Sequence, residues 1–196
     1  MLNYKIDILE EEIKEFSPQV LDILLKDRTT KKNIIWATDN YSNLGLKFGF
    51  DDQITIDSIT GFYNDIVKPR IEKTKENKMM RIREKAEVFT PSWVCNKQNN
   101  LIDHAWFERK DVFNIEKEKT WVSIKESIRF PSEGGKTWKD YVLEPRLEIS
   151  CGEAPYLVSR YDTVTGQYIE ITERIGLLDR KLRVLSENVD DKEQWL

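Results

Sequence analysis

The sequence predicts an α/β fold, with a mainly helical N-terminal region over residues 1–85 and the start of a second domain over residues 86–196. Three observations predict it. Residues 7–28 and 57–85 look helical, and the second stretch is broken near Pro69. A short strand at residues 146–150 then runs into a turn of small residues, after which a helix is expected.

Composition narrows the class of protein before any motif is considered. Of the 196 residues, 39% are hydrophobic and 11% aromatic, which is enough for a packed core of one domain, or of one domain with a helical appendage. The formal net charge of −4 does not suit a free-standing nucleic-acid binder, although a local basic face remains possible. Two cysteines and one histidine are too few for a disulfide framework, a zinc site or a histidine-based triad.

The N-terminus carries neither a basic segment followed by an apolar one nor any apolar run near the roughly 20 residues that a spanning helix needs. We therefore expect a cytoplasmic protein without a membrane partner.

The N-terminal region is predicted from its helix signals. Ser17 and Pro18 suit the N-cap and first position of a helix, which divides residues 7–28 into two short helices. Residues 33–38 form a short β-like run. The most basic window of the chain follows at residues 68–85. Clustered cations there can contact DNA phosphates, and the alternative is a solvated helix face. The candidate DNA contacts are Lys78, Arg81 and Arg83.

The second region begins with an extended segment that turns at Pro91. Residues 92–107 are predicted to be helical, because Val94, Leu101, Ile102 and Ala105 recur at roughly helical spacing. A turn is predicted at Thr165 and Gly166, and a helix over residues 172–188.

The strand, turn and helix predicted from Arg146 onwards carry the functional argument. Small residues at 151, 152 and 154 let backbone approach a ligand, and the start of the helix expected at 156–161 offers free N–H groups. Nucleotide-like cofactors are commonly held this way. The simpler interpretation is an ordinary strand-turn-helix with a buried cysteine.

This segment resembles motif I of the amino-methyltransferases, usually written ILDPACGSGGFL, without a gap. Glu148 stands at the family's Asp, and Cys151 and Gly152 match its Cys-Gly pair. The second half of the turn departs from the family: Glu153 replaces Ser, and Ala154 and Pro155 replace two glycines.

An earlier segment resembles motif X, a Gly-Glu-x-Phe/Tyr-Thr-Pro sequence that packs against the methionine end of S-adenosylmethionine in the family. Phe89 would form an apolar wall, Thr90 would offer a hydroxyl and a turn, and Pro91 would fix that turn. On its own this segment is better explained as a helix-starting turn with a staple aromatic residue. Its position ahead of motif I favours the resemblance.

Stretches elsewhere, including KNIIWATD and RIGLLDRKLRV, are similar to the bacterial restriction endonuclease subunit M group. The resemblance implies an adenine-specific DNA methyltransferase of a restriction-modification system, with an incomplete Rossmann-like sheet and S-adenosylmethionine as cofactor. DNA and a restriction or specificity subunit are the implied partners. The implied cofactor-binding residues are Phe89, Thr90, Pro91, Glu148, Cys151, Gly152 and Ala154.

The family's catalytic motif, Asn/Asp-Pro-Pro-aromatic, is absent because no two of the six prolines are adjacent. We therefore assign no catalytic residue and expect no methyl transfer by this chain alone. The alternative is a non-enzymatic module that binds DNA or docks onto a catalytic subunit. A restriction-interfering protein from a mobile element is a third, weaker hypothesis.

Overall fold

A computed structural model describes residues 8–72, 88–131, 135–149 and 152–190 of the chain. The chain divides into two compact units, Met1–Glu72 and Lys73–Leu196. Both α-helices and a small antiparallel sheet are present, so the predicted α/β class is confirmed in this broad sense. The predicted domain boundary after residue 85 falls among residues that lie outside the described ranges.

The first unit begins with two short helices, α1 (Glu10–Phe16) and α2 (Pro18–Leu25). They are separate because Ser17 is extended and accepts a hydrogen bond from the Val20 amide at 3.4 Å, while Pro18 starts the new helix. The prediction of two helices divided at this point is confirmed.

The rest of the first unit has little regular structure. Residues 57–72, predicted to be helical, contain only single 3₁₀ turns, at Ile56–Ser58, Gly61–Tyr63 and Arg70–Glu72, so that prediction is wrong there; residues 73–85 lie outside the described ranges. The β-like run at 33–38 forms an isolated bridge between Ile35 and Gln53. An apolar core joins these loops to α2, and its buried residues are Leu21, Leu25, Trp36, Phe48 and Ile59.

The second unit contains the remaining elements. Helix α3 (Ser92–Phe107) confirms the helix predicted at 92–107, and β1 (Asn114–Glu116) pairs antiparallel with β2 (Trp121–Ser123). Helices α4 (Trp138–Leu143) and α5 (Leu177–Asn188) follow. None of the helices in the described ranges is both long and apolar enough to cross a membrane.

The second core is rich in aromatic residues and packs the end of α3 against α4 and α5. Its buried members are Phe107, Val112, Phe113, Ile128, Tyr141 and Val184. The helix predicted over 172–188 is confirmed as α5 from Leu177 onwards, and a 3₁₀ turn, Ile171–Glu173, precedes it.

The buried face of α3 is polar, although its apolar residues recur at helical spacing. Leu101 and Ile102 are 64% and 41% exposed, whereas Asn96, Asn100 and Asp103 are buried. Hydrophobic periodicity does not mark the buried face here, because α3 packs against a buried arginine, Arg180, that requires polar partners.

Two further local predictions fail. Residues 146–149 belong to no strand, and residues 156–161 contain no helix, since a turn at residues 155–157 stands in its place. Tyr161 then bridges antiparallel to Tyr168, and the predicted turn at Thr165 and Gly166 closes this short hairpin, with Gly166 at φ +76°. In the described ranges the named strands are only β1 and β2, so a Rossmann-like sheet remains a prediction.

Candidate cofactor site

Phe89 and Gly152, which are far apart in the sequence, are in contact. Gly152 adopts φ +101°, and a Cβ atom added there would lie 3.1 Å from Cε1 and 3.4 Å from Cζ of the Phe89 ring. Only glycine adopts this backbone conformation without strain, and the ring leaves no space for a side chain. The two segments that resemble motifs X and I therefore meet in the folded chain.

The turn after Phe89 is fastened to the 161–168 hairpin. The Thr90 carbonyl accepts hydrogen bonds from Thr163 Oγ1 at 3.1 Å and from Cys95 Sγ at 3.8 Å. The Ser92 amide donates to Asp162 Oδ2 at 2.7 Å. Pro91 occupies the N-cap position of α3, where its extended backbone directs the chain into the helix. These hydrogen bonds hold Thr90 between α3 and the 161–168 hairpin.

Glu148 lies close to this turn. Its Oε2 accepts a hydrogen bond from the Leu157 amide at 3.2 Å, which closes the loop between residues 148 and 157. Burial, together with the charges of Glu148 and Asp162, raises the pKa of the Cys95 thiol to about 12. Cys95 therefore stays protonated at neutral pH and is not a nucleophile.

The Tyr156 phenol lies in the same group of side chains. Burial raises its pKa, and the nearby Cys95 and Glu148 act in the same direction, while a hydrogen bond with Thr90 opposes them. Cys95 and Tyr156 therefore lie near Thr90 and Glu148. The arrangement supplies hydroxyl groups and a carboxylate but no activated nucleophile.

Ala154 retains a glycine-like conformation although it has a side chain. Its φ is +47°, in the left-handed region, which costs an alanine about 1–2 kcal/mol. Its carbonyl accepts hydrogen bonds from the Leu157 and Val158 amides, both at 3.0 Å, so a tight turn holds the strain. Of the other predicted site residues, Cys151, Lys78, Arg81 and Arg83 lie outside the described ranges.

Residues of α3 and of the start of α5, which sequence reasoning missed, hold the loop between residues 148 and 157 in place. Asn99 of α3 donates to the Tyr156 carbonyl at 2.9 Å, and the start of α5 donates from Leu178 to the Leu157 carbonyl at 2.9 Å. A Cβ atom at Gly176 would lie 2.2 Å from that same oxygen. The asparagines of α3 recur at helical spacing, which is the available signal in the sequence, but asparagine is rarely buried.

Behind the loop, a buried ion pair joins α3 to α5. Arg180 and Asp103 are each 1% exposed, and their side chains lie 2.5 Å apart. Arg180 also donates to Asn96 at 2.8 Å and to Asn100 at 2.9 Å, and Tyr141 donates to Asp103 at 3.0 Å. This network holds α3 against α5, and both helices donate hydrogen bonds to the loop between residues 148 and 157.

Comparison of the chain with family models, with curated proteins and with solved structures gives no match. Within the described ranges, no group of three or more His, Cys, Asp or Glu residues is placed to hold a metal ion.

Proposed function

We propose that the chain is part of a DNA adenine methyltransferase subunit of a restriction-modification system and contributes its S-adenosylmethionine pocket. The observation that carries the proposal is the contact between Phe89 and Gly152. The two segments resemble different cofactor motifs, and an accidental resemblance in either one gives no reason for them to meet.

The residues present fit such a cofactor in their backbone and charge. Gly152 lets the Phe89 ring lie against the backbone of the turn, and Ala154 has the positive φ that a glycine adopts without strain. Phe89 supplies an apolar wall, and Glu148 a carboxylate that is already anchored. When bound, S-adenosylmethionine supplies a methyl group on a sulfonium. The chain's part is to align it, because no Pro-Pro-aromatic motif is present to hold the accepting amine.

A Rossmann-like sheet is part of the proposal. Segment 146–149 alternates between half-buried Arg146 and Glu148 and exposed Leu147 and Ile149, the latter two 83% and 81% exposed. A period of two with apolar side chains on one face is typical of a segment whose face packs against further structure. We propose that this segment, which belongs to no strand in the isolated chain, joins that sheet only in the assembled subunit.

Isothermal titration calorimetry of the full chain with S-adenosylmethionine tests the pocket. We expect binding by the wild-type chain and an affinity at least about tenfold lower for Gly152→Ala, since the new methyl group meets Phe89. Gly135→Ala is the matched control: Gly135 also has a positive φ, +67°, but has nothing within 4 Å of an added Cβ. No heat from the wild-type chain at millimolar cofactor, or equal losses in both variants, would contradict the proposal.

The second candidate function is docking onto a catalytic or specificity subunit, and an exposed apolar face of α2 favours it. Val20, Ile23 and Leu24 are 40%, 60% and 61% exposed at helical spacing, and Phe16 before them is 86% exposed. If docking is the function, Ile23→Asp should abolish co-elution with the specificity subunit while calorimetry with the cofactor stays unchanged. Retained co-elution would remove this candidate.

A further inference from the structure

A cleft in the second unit is lined by aromatic residues from three different segments. Its volume is about 540 Å³, within the range of small-molecule sites. Trp93 comes from the first turn of α3, Trp121 from β2, and Tyr168 from the 161–168 hairpin. Pro91 is the only predicted cofactor-binding residue among those that line it.

The cleft is negatively charged. Asp162, Glu170 and Glu173 line it, against a single cation, Lys119. Within the described ranges, no salt bridge joins any of these three carboxylates to a basic side chain. Burial opposes the ionisation of Asp162, but hydrogen bonds from the Ser92 and Thr165 amides outweigh it, so its pKa lies below the ordinary value. Asp162 is therefore charged at neutral pH.

Hydrogen bonds within the fold hold Trp121, Glu173 and Asp162 in place. Trp121 Nε1 donates to the Glu173 carbonyl at 2.9 Å, and Ser123 Oγ donates to Glu173 Oε2 at 2.6 Å. Asp162 accepts from Ser92, from Val164 and, through both amide and hydroxyl, from Thr165. A rigid site loses little conformational entropy on binding, which favours affinity for a small ligand.

We propose that this cleft binds an organic cation, an alkylammonium or guanidinium group. Indole and phenol faces attract cations through the ring quadrupole, and they favour cations that carry carbon over hydrated sodium. The unpaired negative charge adds to that attraction. The group belongs either to a free polyamine or to a lysine or arginine side chain of a protein partner. The proposal is independent of cofactor binding, because it depends on a different set of side chains.

Two-dimensional NMR of the full chain tests this site through the indole N–H signals of Trp93 and Trp121. Tetramethylammonium chloride is titrated against sodium chloride at equal ionic strength. We expect both indole signals to move with the organic cation and to stay in place with sodium. Spermidine and a short lysine peptide then distinguish the two sources, since the natural source should bind more tightly.

Variants assign the effect to the cleft. Glu170→Gln and the double variant Glu170→Gln/Glu173→Gln should weaken binding, the double variant by at least about tenfold. Gln at 173 can still accept the hydrogen bond from Ser123. Glu126→Gln, an exposed carboxylate away from the cleft, is the matched control and should bind as the wild type does. No indole shift with any organic cation up to about 10 mM, or equal affinity in the double variant and the control, would overturn the proposal.

Discussion

The core of the first unit and the interface between α3 and α5 in the second are both buried, but apolar contacts hold the first and polar contacts hold the second. In the first unit, Leu21, Leu25 and Trp36 are at most 8% exposed and make apolar contacts. In the second, Asp103 and Arg180 are 1% exposed and make hydrogen bonds and an ion pair. Apolar contact is non-directional, whereas each buried polar group must find a partner at one distance and angle.

The α3–α5 interface is therefore less tolerant of substitution than the core of the first unit. An apolar core accepts a similar hydrophobic residue, because volume is its main requirement. The network around Arg180 holds together α3 and α5, the two helices that contact the candidate cofactor loop. Removing any member of the network leaves another member without a partner.

The largest expected effect comes from Arg180→Met, which leaves Asp103 buried without its cation. We expect the free energy of unfolding to fall by about 3–5 kcal/mol, measured by urea denaturation of the full chain. Adding Asp103→Asn should restore part of the loss, since the uncompensated charge is then gone while the side chain can still accept from Tyr141. A double variant less stable than the single one would show that charge is not the cause.

The control for this prediction lies in the first unit. Leu21→Met changes the shape of a fully buried side chain with little change in volume, and should cost less than about 1.5 kcal/mol in the same assay. If it costs as much as Arg180→Met, the contrast between the two cores is wrong.

An intermediate effect is expected from added methyl groups at two glycines. Gly176→Ala places Cβ 2.2 Å from the Leu157 carbonyl, so backbone must move, and we expect a loss of about 2–3 kcal/mol. Gly49→Ala in the first unit meets the Asp52 carboxylate at 3.2 Å, a side chain that can shift, and should cost under about 1 kcal/mol. Thermal unfolding of both variants measures the difference. Similar losses of stability would mean that the backbone at Leu157 accommodates an added methyl group as easily as the Asp52 side chain does.

The smallest effect is a pH dependence of opposite sign in the two units. Burial raises the pKa of Asp179, so its contribution to stability is fully present below the ordinary value of 3.8 and is lost as pH rises through the raised one. Hydrogen bonds from Thr30 and Thr29 lower the pKa of Asp27, whose contribution is present above 3.8 and lost as pH falls.

Denaturation from pH 3 to 7 checks the signs. Relative to Asp179→Asn, the wild type should lose stability as pH rises; relative to Asp27→Asn, it should gain stability. Parallel pH profiles for the wild type and the Asp179→Asn chain would refute the first sign.

Helices with strong local signals were predictable from sequence. Ser17 and Pro18 divide α1 from α2 through one cap and one missing N–H, which requires no distant residue. The start of α3 after Pro91 is of the same kind. Residues 57–72 were predicted wrongly because Thr55 and Ser58 cap each other around a single turn and Gly61 adopts φ +60°. These local hydrogen bonds compete with a longer helix.

The candidate site was predictable as a set of residue types and not as a set of contacts. Resemblance to two motifs pointed to Phe89 and Gly152, which lie against each other. It gave no indication of Asn99 or Gly176, which hold the loop, because their role exists only once α3 and α5 are packed together.

By itself, the sequence determined where α2 and α3 begin, where the 161–168 hairpin turns, and which two segments resemble a cofactor pocket, because caps, prolines and glycines act within a few residues. Tertiary structure alone decided that α3 buries its asparagines and Asp103 and exposes Leu101. The reason is physical: the charged side chain of Arg180 is buried only where several acceptors converge on it. Their convergence depends on segments that are far apart along the chain.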